Sequence, residues 1–388
     1  CSLIEGGEVR IMTDYWIERS RKSAGYPIMV PVVDLVEIGN GGGSIAWDEA
    51  NALRVGPQSA GSVPGPACYG RGGTEPTVSD ANLVLKRLDS SNFSGGELTL
   101  DVEAARAVCG RLGERFGLDP EAFAQGIIDI INAKMADAIR TITVQRGIDP
   151  RDFALLAYGG AGPSQAAALA EQLDIKEVII PVHPGAFSAF GMLQTDMRHD
   201  FKMTYYGDWG AVDVAEVTAA FEALEAEGRA HLKAEGMTDA DIRFERSVDL
   251  RYEGQEYVLT VPAGTGTVDP AAVRAVFNEA YQQQYGHSST TAGAEVANLR
   301  VAALGRLRRP GLPSPLDRVA SEARSRPVYF DGVERETAVV RREAYALGDT
   351  ITGPAIIEEE TTTTLVPPGW TVEVITGGHL SMTKSSEA

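Results

Sequence analysis

The part of the sequence that most constrains the fold is residues 153–192, where short apolar runs alternate with helix-forming segments. Residues 153–157 and 178–181 predict two strands. Each strand leads through a loop into a predicted helix, one over residues 163–173 and one from about Ala186. Strands that alternate with helices in this way form a sheet covered by helices. The sequence therefore predicts an α/β core.

Helical periodicity begins upstream of this series, at about Asp101. Apolar residues such as Phe123, Ile127 and Ile131 recur at three- and four-residue steps, which predicts a long helix that ends near Gly147. Residues 1–100, by contrast, predict strands and loops. They open with a hairpin that turns at Gly6-Gly7, and its second strand is expected to run from Val9 to about Ile17.

The composition changes again after about Phe201. A third region is predicted, with helices over residues 212–235 and 270–285 and strands over residues 244–250, 255–261 and 294–305. Prolines 310, 313 and 315 predict a linker, after which short strands over residues 326–330, 336–342, 355–363, 371–375 and 380–382 predict a β-rich module. The predicted domains are residues 1–205, an α+β domain over 206–308, a linker over 309–326 and the β-rich module over 327–388.

Charge and cysteine usage exclude several classes of protein. Thirty-five Lys and Arg against 54 Asp and Glu give a formal net charge of −19, and the sequence contains no run of five or more basic residues. Nucleic acid and anionic membranes would therefore be repelled. Three cysteines without a C-x-x-C pair favour a reducing compartment. No apolar stretch reaches the roughly 18 residues that a membrane span needs. The expectation is a cytoplasmic protein.

The sharpest local motif is Gly159-Gly160-Ala161-Gly162-Pro163, which joins an apolar strand to a helix. Glycines let a backbone approach a ligand closely, and a helix amino terminus offers free N–H groups to a polar or anionic group. A tight strand-to-helix turn without a ligand has the same spacing. The residues alone favour neither a ligand-binding loop nor a simple turn.

A second glycine cluster contains Gly41, Gly42 and Gly43, and together with Ala46 it has the spacing of a weak dinucleotide fingerprint. That fingerprint requires a helix to follow, whereas residues 44–47 alternate like a strand and residues 53–55 form the return strand. A Rossmann cofactor site is therefore rejected. A backbone that a ligand approaches and a simple wide bulge both remain open.

Cys68 lies in a long irregular stretch, residues 56–73. Stretches of this length without regular structure are usually functional or disordered. A cysteine nucleophile needs a base, and the nearest histidine is more than a hundred residues away in sequence. A buried inert thiol is favoured over a reactive one.

Three further features predict structure rather than chemistry. Asp196, His199 and Asp200 form the one acidic and imidazole cluster, and a salt-bridged helix end is the favoured interpretation. Residues 358–360 are three glutamates before four threonines, which predicts a strand with one solvated face. The five histidines are scattered, so no zinc site is expected.

Several long motifs, taken in order along nearly the whole chain, resemble the hydantoinase A/5-oxoprolinase family. That family includes the A-type subunits of ATP-dependent hydantoinases and related subunits of acetone and acetophenone carboxylases. The motifs are residues 36–46, 54–77, 157–163, 184–191, 196–200 and 353–358, and the Thr-rich strand before residues 367–370.

The resemblance implies an actin-like ATPase core of the ribonuclease H-like type, in which two domains close on ATP. Gly159, Gly160, Ala161, Gly162 and Pro163 would form the adenosine loop. The segment that ends at Gly191 is similar to the small-residue helix at the hinge of such folds. Gly41, Gly42 and Gly43 complete the expected nucleotide contacts.

The chain also departs from the family pattern. The two phosphate loops of the family are expected upstream of Cys1, together with the Mg²⁺ site, so the chain is expected to be the carboxy-terminal portion of a longer protein and inactive as an ATPase alone. Gln165 stands where many relatives have His. No catalytic residue and no metal ligand are assigned.

The function that the resemblance implies is ATP-dependent phosphorylation of a cyclic amide or imide carbonyl, with a B-type partner subunit completing ring opening in a hetero-oligomer. Phosphorylation would turn a poor electrophile into one that water can open. Two alternatives stay open: a subunit of an ATP-dependent ketone carboxylase, and a non-catalytic scaffold that docks a partner.

Overall fold

A computed structural model describes residues 1–12, 15–17, 23–28, 32–311 and 324–385. The helices of this described part are α1 (Val78–Val84), α2 (Val102–Gly113), α3 (Pro120–Ile142), α4 (Gly162–Leu173), α5 (Phe187–Met192), α6 (Val214–Ala234) and α7 (Pro270–Tyr285). Its strands are β1 (Ile4–Glu5), β2 (Glu8–Val9), β3 (Ile11–Met12), β4 (Tyr15–Ile17), β5 (Tyr26–Ile28), β6 (Val32–Val33), β7 (Ser44–Glu49), β8 (Ala52–Ser59), β9 (Leu155–Leu156), β10 (Glu177–Ile180), β11 (Met197–Asp208), β12 (Ile242–Tyr252), β13 (Leu259–Pro262), β14 (Ala294–Gly305), β15 (Arg324–Phe330), β16 (Val333–Arg341), β17 (Thr350–Thr352), β18 (Ala355–Glu358), β19 (Thr363–Val366), β20 (Trp370–Val374) and β21 (Leu380–Lys384).

The fold is mixed α/β, as predicted, and the chain divides into two compact units. Unit 1 comprises Cys1–Leu3, Leu35–Gly191 and Gly311–Ala388, and unit 2 comprises Ile4–Asp34 and Met192–Pro310. Within the described residues, no helix is long and apolar enough to cross a membrane.

Unit 1 is built around a five-stranded sheet of order β17-β20-β21-β10-β9. Strands β9 and β10 are parallel, as the strand-helix alternation predicts, and β21 pairs with β10 antiparallel. Helix α4 packs on this sheet, and fully buried side chains such as Ala166, Val178 and Trp370 share one core. The last strands of the chain therefore complete the sheet that residues 155–180 begin.

A second core in unit 1 joins helices α1, α2 and α3 to the hairpin β7–β8, with Phe123, Ile127 and Val55 fully buried. The predicted long helix is present as α3. It ends at Ile142 rather than near Gly147, and a single turn of 3₁₀-helix covers residues 144–146. Of the strands predicted in the last 60 residues, those over residues 326–330, 336–342, 371–375 and 380–382 are present, whereas the one predicted over residues 355–363 ends at Glu358 as β18, and a separate strand, β19, begins at Thr363. Strands β15, β16, β18 and β19 form a sheet of order β15-β16-β18-β19.

The prediction of only strands and loops before residue 100 is wrong for Val78–Val84, which form α1. The Thr77 hydroxyl accepts from the Asp80 N–H, and the Asp80 carboxylate accepts from the Thr77 N–H, which closes a capping box. All seven residues of α1 are buried. A helix that is short and buried on every side has no apolar stripe, so periodicity alone misses it.

Unit 2 contains a four-stranded antiparallel sheet of order β11-β14-β12-β13, together with helices α6 and α7. Its core includes the fully buried Phe221, Leu250 and Phe277. The predicted helices and strands over residues 212–305 are present, except that the strand predicted over residues 255–261 begins only at Leu259. The opening hairpin pairs Ile4 with Val9, but its predicted second strand is interrupted at Arg10, and residues 13–14 of it lie outside the described residues, as does most of the predicted linker (312–323).

Candidate functional site

A cavity of about 720 Å³ in unit 1, here called cavity A, brings together the two glycine motifs of the sequence. One wall is the chain before β7, including Asn40 and Gly41, and another is β9 with the residues that follow it, Tyr158 and Gly162. Apolar side chains close it from α3 and α4: Met135, Ala138, Ile139 and Leu169. Cavities of this size with apolar walls and a few polar groups are typical of small-molecule sites.

The first glycine motif forms the tight entry into β7. The Ser44 hydroxyl accepts from the Gly41 N–H at 2.9 Å, and the Ser44 N–H donates to the Gly41 carbonyl at 3.0 Å. Gly41 lines cavity A, whereas a Cβ on Gly42 would lie 2.7 Å from the Ser79 hydroxyl and one on Gly43 would lie 2.8 Å from the Ser59 hydroxyl. Only Gly41 of the three therefore faces the cavity. No helix follows, which agrees with the rejection of a Rossmann site.

Asn40 lines cavity A with a side-chain amide that makes no hydrogen bond to the described residues. Both its amide nitrogen and its amide oxygen are buried, and neither has a hydrogen-bond partner among the described residues. An unsatisfied buried amide costs about 1–3 kcal/mol. A ligand that offered one acceptor and one donor would satisfy it.

The second glycine motif is held from behind by the C-terminal part of the chain. Gly159 has a φ of +86°, which favours glycine, and its N–H donates to the Pro184 carbonyl at 2.8 Å. The Thr362 hydroxyl donates to the carbonyls of Gly159 and Gly160, at 3.1 and 2.9 Å. The loop is thus fixed by a residue about 200 positions away, which sequence reasoning missed because no local signal marks that contact.

Helix α4 begins at this loop without a side-chain cap. Ala161 is its N-cap residue and makes no capping hydrogen bond, Gly162 lines cavity A, and Pro163 is buried in the first turn. Pro163 has no N–H, and the Ser164 N–H donates to the Ala161 carbonyl at 3.2 Å. The Gly162 backbone and the positive end of the helix dipole therefore lie beside the cavity, where they favour a polar or anionic ligand group.

The remaining predicted contact, Gly191, lies in α5, and a Cβ placed on it would meet no described atom within 4 Å beyond its chain neighbours and its own helix backbone. It does not line cavity A. Its neighbour Phe187 packs against Tyr158, with ring centroids 5.2 Å apart, so the start of α5 does touch the glycine loop. The hinge role of this helix stays a prediction.

Cys68 is fully buried, as expected for an inert thiol. Burial and the nearby Asp80 carboxylate raise the pKa of its thiol far above its usual range, which removes the thiolate that nucleophilic catalysis requires. The carboxylate of Asp80 accepts from the backbone N–H groups of Ala67, Cys68 and Thr77. Asp80 therefore organises the long loop before α1, and the Thr77-x-x-Asp80 spacing was the signal that could have revealed it.

Two predicted acidic features are corrected by the structure. Asp196, His199 and Asp200 do not lie at a helix end, because His199 and Asp200 belong to β11 and point to opposite faces of the sheet. His199 contacts Glu235 at 2.9 Å, Asp200 pairs with Arg198, and Asp196 pairs with Arg309, so the three side chains bind three separate partners.

The three glutamates before the Thr run do not form a solvated strand face. Strand β18 ends at Glu358, and the side chains of Glu358 and Glu359 are only 4% and 7% exposed. Glu358 pairs with Arg324 and Arg326, and Glu359 pairs with Arg342 at 3.2 Å. Arginine partners distant in sequence permit this burial, which composition alone cannot indicate.

No group of three or more His, Cys, Asp or Glu side chains that could hold a metal ion is found in the described part of the chain. The residues of cavity A also offer little for Mg²⁺, because Glu37 is the one carboxylate in its lining. Cavity A can therefore hold the uncharged part of a nucleotide by apolar contact and amide hydrogen bonds, but it has no cluster for a phosphate-bound metal.

Comparisons with known proteins agree with these motifs. The family described as Hydantoinase/oxoprolinase matches residues 1–201, and the Hydantoinase/oxoprolinase C-terminal domain matches residues 196–377. Caprolactamase subunit alpha of Pseudomonas jessenii is 37% identical over 91% of this chain and 54% of its own length. The acetophenone carboxylase gamma subunit of Aromatoleum aromaticum is 30% identical over 90% of this chain and 51% of its own length.

A solved structure is similar as well. The crystal structure of ATP-dependent caprolactamase from Pseudomonas jessenii matches with a TM-score of 0.80 and 35% identity, over 93% of this chain and 54% of that one. The chain thus spans about half the length of these relatives.

Proposed function

The chain belongs to the hydantoinase/oxoprolinase family, and from that premise we propose that it is the adenosine-binding part of an ATP-dependent subunit that activates a cyclic amide or imide for ring opening. Cavity A carries the proposal, because Gly41 and Gly162, from two motifs about 120 residues apart, line one cavity with the unpaired amide of Asn40. Similarity to the ATP-dependent caprolactamase supports it.

In this proposal the residues of cavity A bind and orient the nucleoside. Apolar side chains from α3 and α4 accept a planar base, Asn40 supplies a donor and an acceptor, and the uncapped start of α4 points its dipole toward a polar group. ATP, when bound, supplies the phosphoryl group that activates the carbonyl oxygen. Mg²⁺ and the phosphates would be held by phosphate loops of the longer protein.

The proposal extends to the wider architecture. Residues 1–205 would form part of an actin-like ATPase core, followed by the α+β domain over 206–308, a linker over 309–326 and the β-rich module over 327–388. A B-type subunit would complete the reaction in a hetero-oligomer. The subunit designations in the names of the caprolactamase and the acetophenone carboxylase support a multi-subunit assembly.

A ketone carboxylase subunit is the second candidate, favoured by the 30% identity to the acetophenone carboxylase gamma subunit. In that reaction the same activation would act on an enolate oxygen. Measuring ATP hydrolysis by the complete protein with its partner separates the two. Stimulation by a lactam alone supports the hydrolase, and stimulation that requires a ketone together with bicarbonate supports the carboxylase.

The nucleotide site is tested by calorimetric titration of ATP and a non-hydrolysable analogue, with Mg²⁺, into this chain and into a chain extended upstream through the phosphate loops. We expect tight binding by the extended chain alone. If neither chain binds ATP, the proposal of an ATP-dependent enzyme is wrong, and the non-catalytic scaffold that docks a partner becomes the favoured interpretation.

A matched pair of variants of the extended chain tests whether the nucleotide binds in cavity A. Ala138 lines cavity A, and Ala168 lies on α4 away from it. Ala138→Leu fills part of cavity A and is expected to weaken ATP binding at least about tenfold, or about 1.4 kcal/mol, whereas Ala168→Leu leaves it unchanged. Equal effects of the two substitutions would contradict this placement.

A further inference from the structure

The turn between β18 and β19, residues 359–362, lies against the glycine loop of residues 159–162. It contains the start of the threonine run, residues 361–364, to which the function proposed above gives no role. The turn and the loop are about 200 positions apart in sequence, and both belong to unit 1. Their contacts therefore indicate what the C-terminal part of the chain does for the loop.

The Thr362 hydroxyl fixes the orientation of two peptide groups of the loop. The side chain is buried, and its O–H is shared between the carbonyls of Gly159 and Gly160, at 3.1 and 2.9 Å. In a trans peptide the C=O and the following N–H point in opposite directions. The N–H groups of Gly160 and Ala161 therefore point away from the turn, and neither donates to a residue that the structure describes.

A second hydroxyl joins the two segments in the reverse sense. Ser164, in the first turn of α4, donates from its hydroxyl to the Thr363 carbonyl at 2.9 Å. Thus a side chain of the C-terminal segment holds the loop backbone, and a side chain of α4 holds the backbone of the C-terminal segment. Two such bonds fix the distance between the turn and the start of α4.

The turn has its own anchor, which is independent of the loop. The Glu359 N–H donates to the Thr362 carbonyl at 3.0 Å, and the Glu359 carboxylate pairs with Arg342 at 3.2 Å. The same guanidinium donates to the Pro181 carbonyl at 3.0 Å and to the Ile180 carbonyl at 3.3 Å, so the turn is tied to the end of β10. Thr362 is therefore held in place before any ligand binds.

We propose that Thr362 is a positioning residue for nucleotide binding. Its hydroxyl orients the peptide groups of the glycine loop, which then presents free N–H groups to a polar or anionic group of the ligand. Thr362 is not among the residues that line cavity A, so it acts through the loop backbone. Donors that are already held in position need no ordering when a ligand binds, and this raises the affinity. The inference rests on the function proposed above, because it takes ATP as the ligand of the loop.

A matched pair of valine variants tests the role of the hydroxyl in the chain extended upstream through the phosphate loops. Thr362→Val keeps the side-chain shape and leaves two carbonyls without their donor. Thr364 is also buried, but its hydroxyl has no partner among the described residues, so Thr364→Val is the control. By calorimetric titration we expect Thr362→Val to weaken ATP binding at least about tenfold and Thr364→Val to leave it unchanged. Equal affinities of the two variants would overturn the proposal.

Thr362→Ser separates the hydroxyl from the packing of the side chain. It restores the O–H and lacks only the methyl group, so we expect an ATP affinity within about twofold of that of the native chain. A serine variant that binds ATP as weakly as Thr362→Val would mean that the methyl contact, and not the hydrogen bond, maintains the loop. That result would also overturn the proposal.

Amide hydrogen exchange without nucleotide separates a positioning role from a purely structural one. The probe is the Gly159 N–H, which donates to the Pro184 carbonyl. Thr362→Val is expected to speed its exchange while exchange in β12 and β14 stays unchanged, which would show that the fold is intact. Faster exchange with unchanged ATP affinity would leave Thr362 only a structural role and contradict the proposal.

The native extended chain distinguishes failure of this inference from failure of the proposed function. If the native chain does not bind ATP, the proposed function is wrong and the positioning role is wrong with it. If the native chain binds ATP and Thr362→Val binds it equally well, the proposed function stands and only the positioning role is wrong.

Discussion

Asp80 shows how one buried carboxylate fixes a long irregular loop at the scale of single residues. It is fully buried and accepts from three backbone N–H groups and from the Thr77 hydroxyl at 2.7 Å. Asp80→Asn replaces one acceptor oxygen with an NH₂ group that faces donors. We expect the free energy of unfolding of the chain to fall by about 3 kcal/mol, measured by urea denaturation.

Asp119 provides the matched control for that substitution. It caps α3 by accepting from the Ala122 N–H at 2.7 Å, at an exposed site. Asn is as good an N-cap residue as Asp, so Asp119→Asn is expected to change the stability by less than about 0.5 kcal/mol. A similar loss in both variants would mean that the network around Asp80 has no special role.

Glu359 predicts a pH dependence of stability. Burial raises the pKa of its carboxyl to about 7, and the paired Arg342 opposes this effect. In the unfolded chain a Glu releases its proton near pH 4.3, so between about pH 4.3 and 7 the native state holds more protons than the unfolded state. The free energy of unfolding should therefore fall by roughly 3 kcal/mol as the pH rises through this window.

The contribution of Glu359 is isolated by comparison with variants. Glu359→Gln cannot titrate, so its stability should lack this decline when urea unfolding is measured at several pH values. Glu360→Gln changes the exposed neighbour and is expected to keep the decline seen in the native chain. Parallel pH profiles for all three proteins would show that Glu359 is ionised throughout the window.

Residue-level chemistry was only partly predictable. The burial of Cys68 follows from residue type and the lack of a nearby base. The burial of Glu358 and Glu359 does not, because it depends on Arg324, Arg326 and Arg342, which the fold brings together. Nor could the sequence predict that Gln165 and Asn132 line the same cavity, since they come from different helices.

At the scale of elements, close backbone packing at Gly353 fixes the turn between β17 and β18. A Cβ at this position would lie 2.7 Å from the Val366 carbonyl oxygen and against the carbonyl of Pro367, and the Gly353 N–H donates to the Trp370 carbonyl at 2.9 Å. Gly353→Ala must displace backbone. We expect a loss of about 3 kcal/mol in unfolding free energy, measured by urea denaturation.

Gly191 offers the opposite case for the same substitution. It lies in α5, and among the described residues a methyl group added to its Cα would meet nothing within 4 Å outside its chain neighbours and its own helix backbone, so Gly191→Ala meets no clash. Alanine is favoured over glycine in a helix, and we expect an unchanged or slightly raised stability, by up to about 1 kcal/mol. If Gly353→Ala were equally harmless, the tight turn described here would be wrong.

Most elements with a strong period were predicted, and a short buried helix without one was missed. The 23-residue α3 and the helices of unit 2 have clear apolar stripes or caps, and they lie where the sequence places them. Helix α1 is seven residues long and wholly buried, so it lacks a stripe. Strand β11 was missed although half-buried residues such as Phe201 and Met203 alternate regularly with exposed ones, because residues 196–200 were interpreted as a helix end.

At the scale of the whole molecule, which strands pair with each other depends on contacts between residues far apart in sequence. Strand β21 pairs with β10 across 200 residues, and Trp370 of β20 donates to Glu171 of α4 at 3.0 Å. Local pattern predicts each strand but not its partner. Strands β11, β12, β13 and β14, in contrast, pair with one another within residues 197–305, so their sheet needs no strand from elsewhere in the chain.

This contrast predicts which segments fold alone. Residues 192–310 contain the whole four-stranded sheet, α6, α7 and a core that includes Phe221, Leu250 and Phe277. Expressed alone, they are expected to unfold cooperatively in urea, with helix and strand signals by circular dichroism. Residues 324–388 are the matched control: β21 lacks β10 there and Trp370 lacks α4, so we expect no cooperative transition. Cooperative unfolding of both segments would show that the C-terminal strands form an independent domain, and failure of residues 192–310 would show that their core needs the rest of the chain.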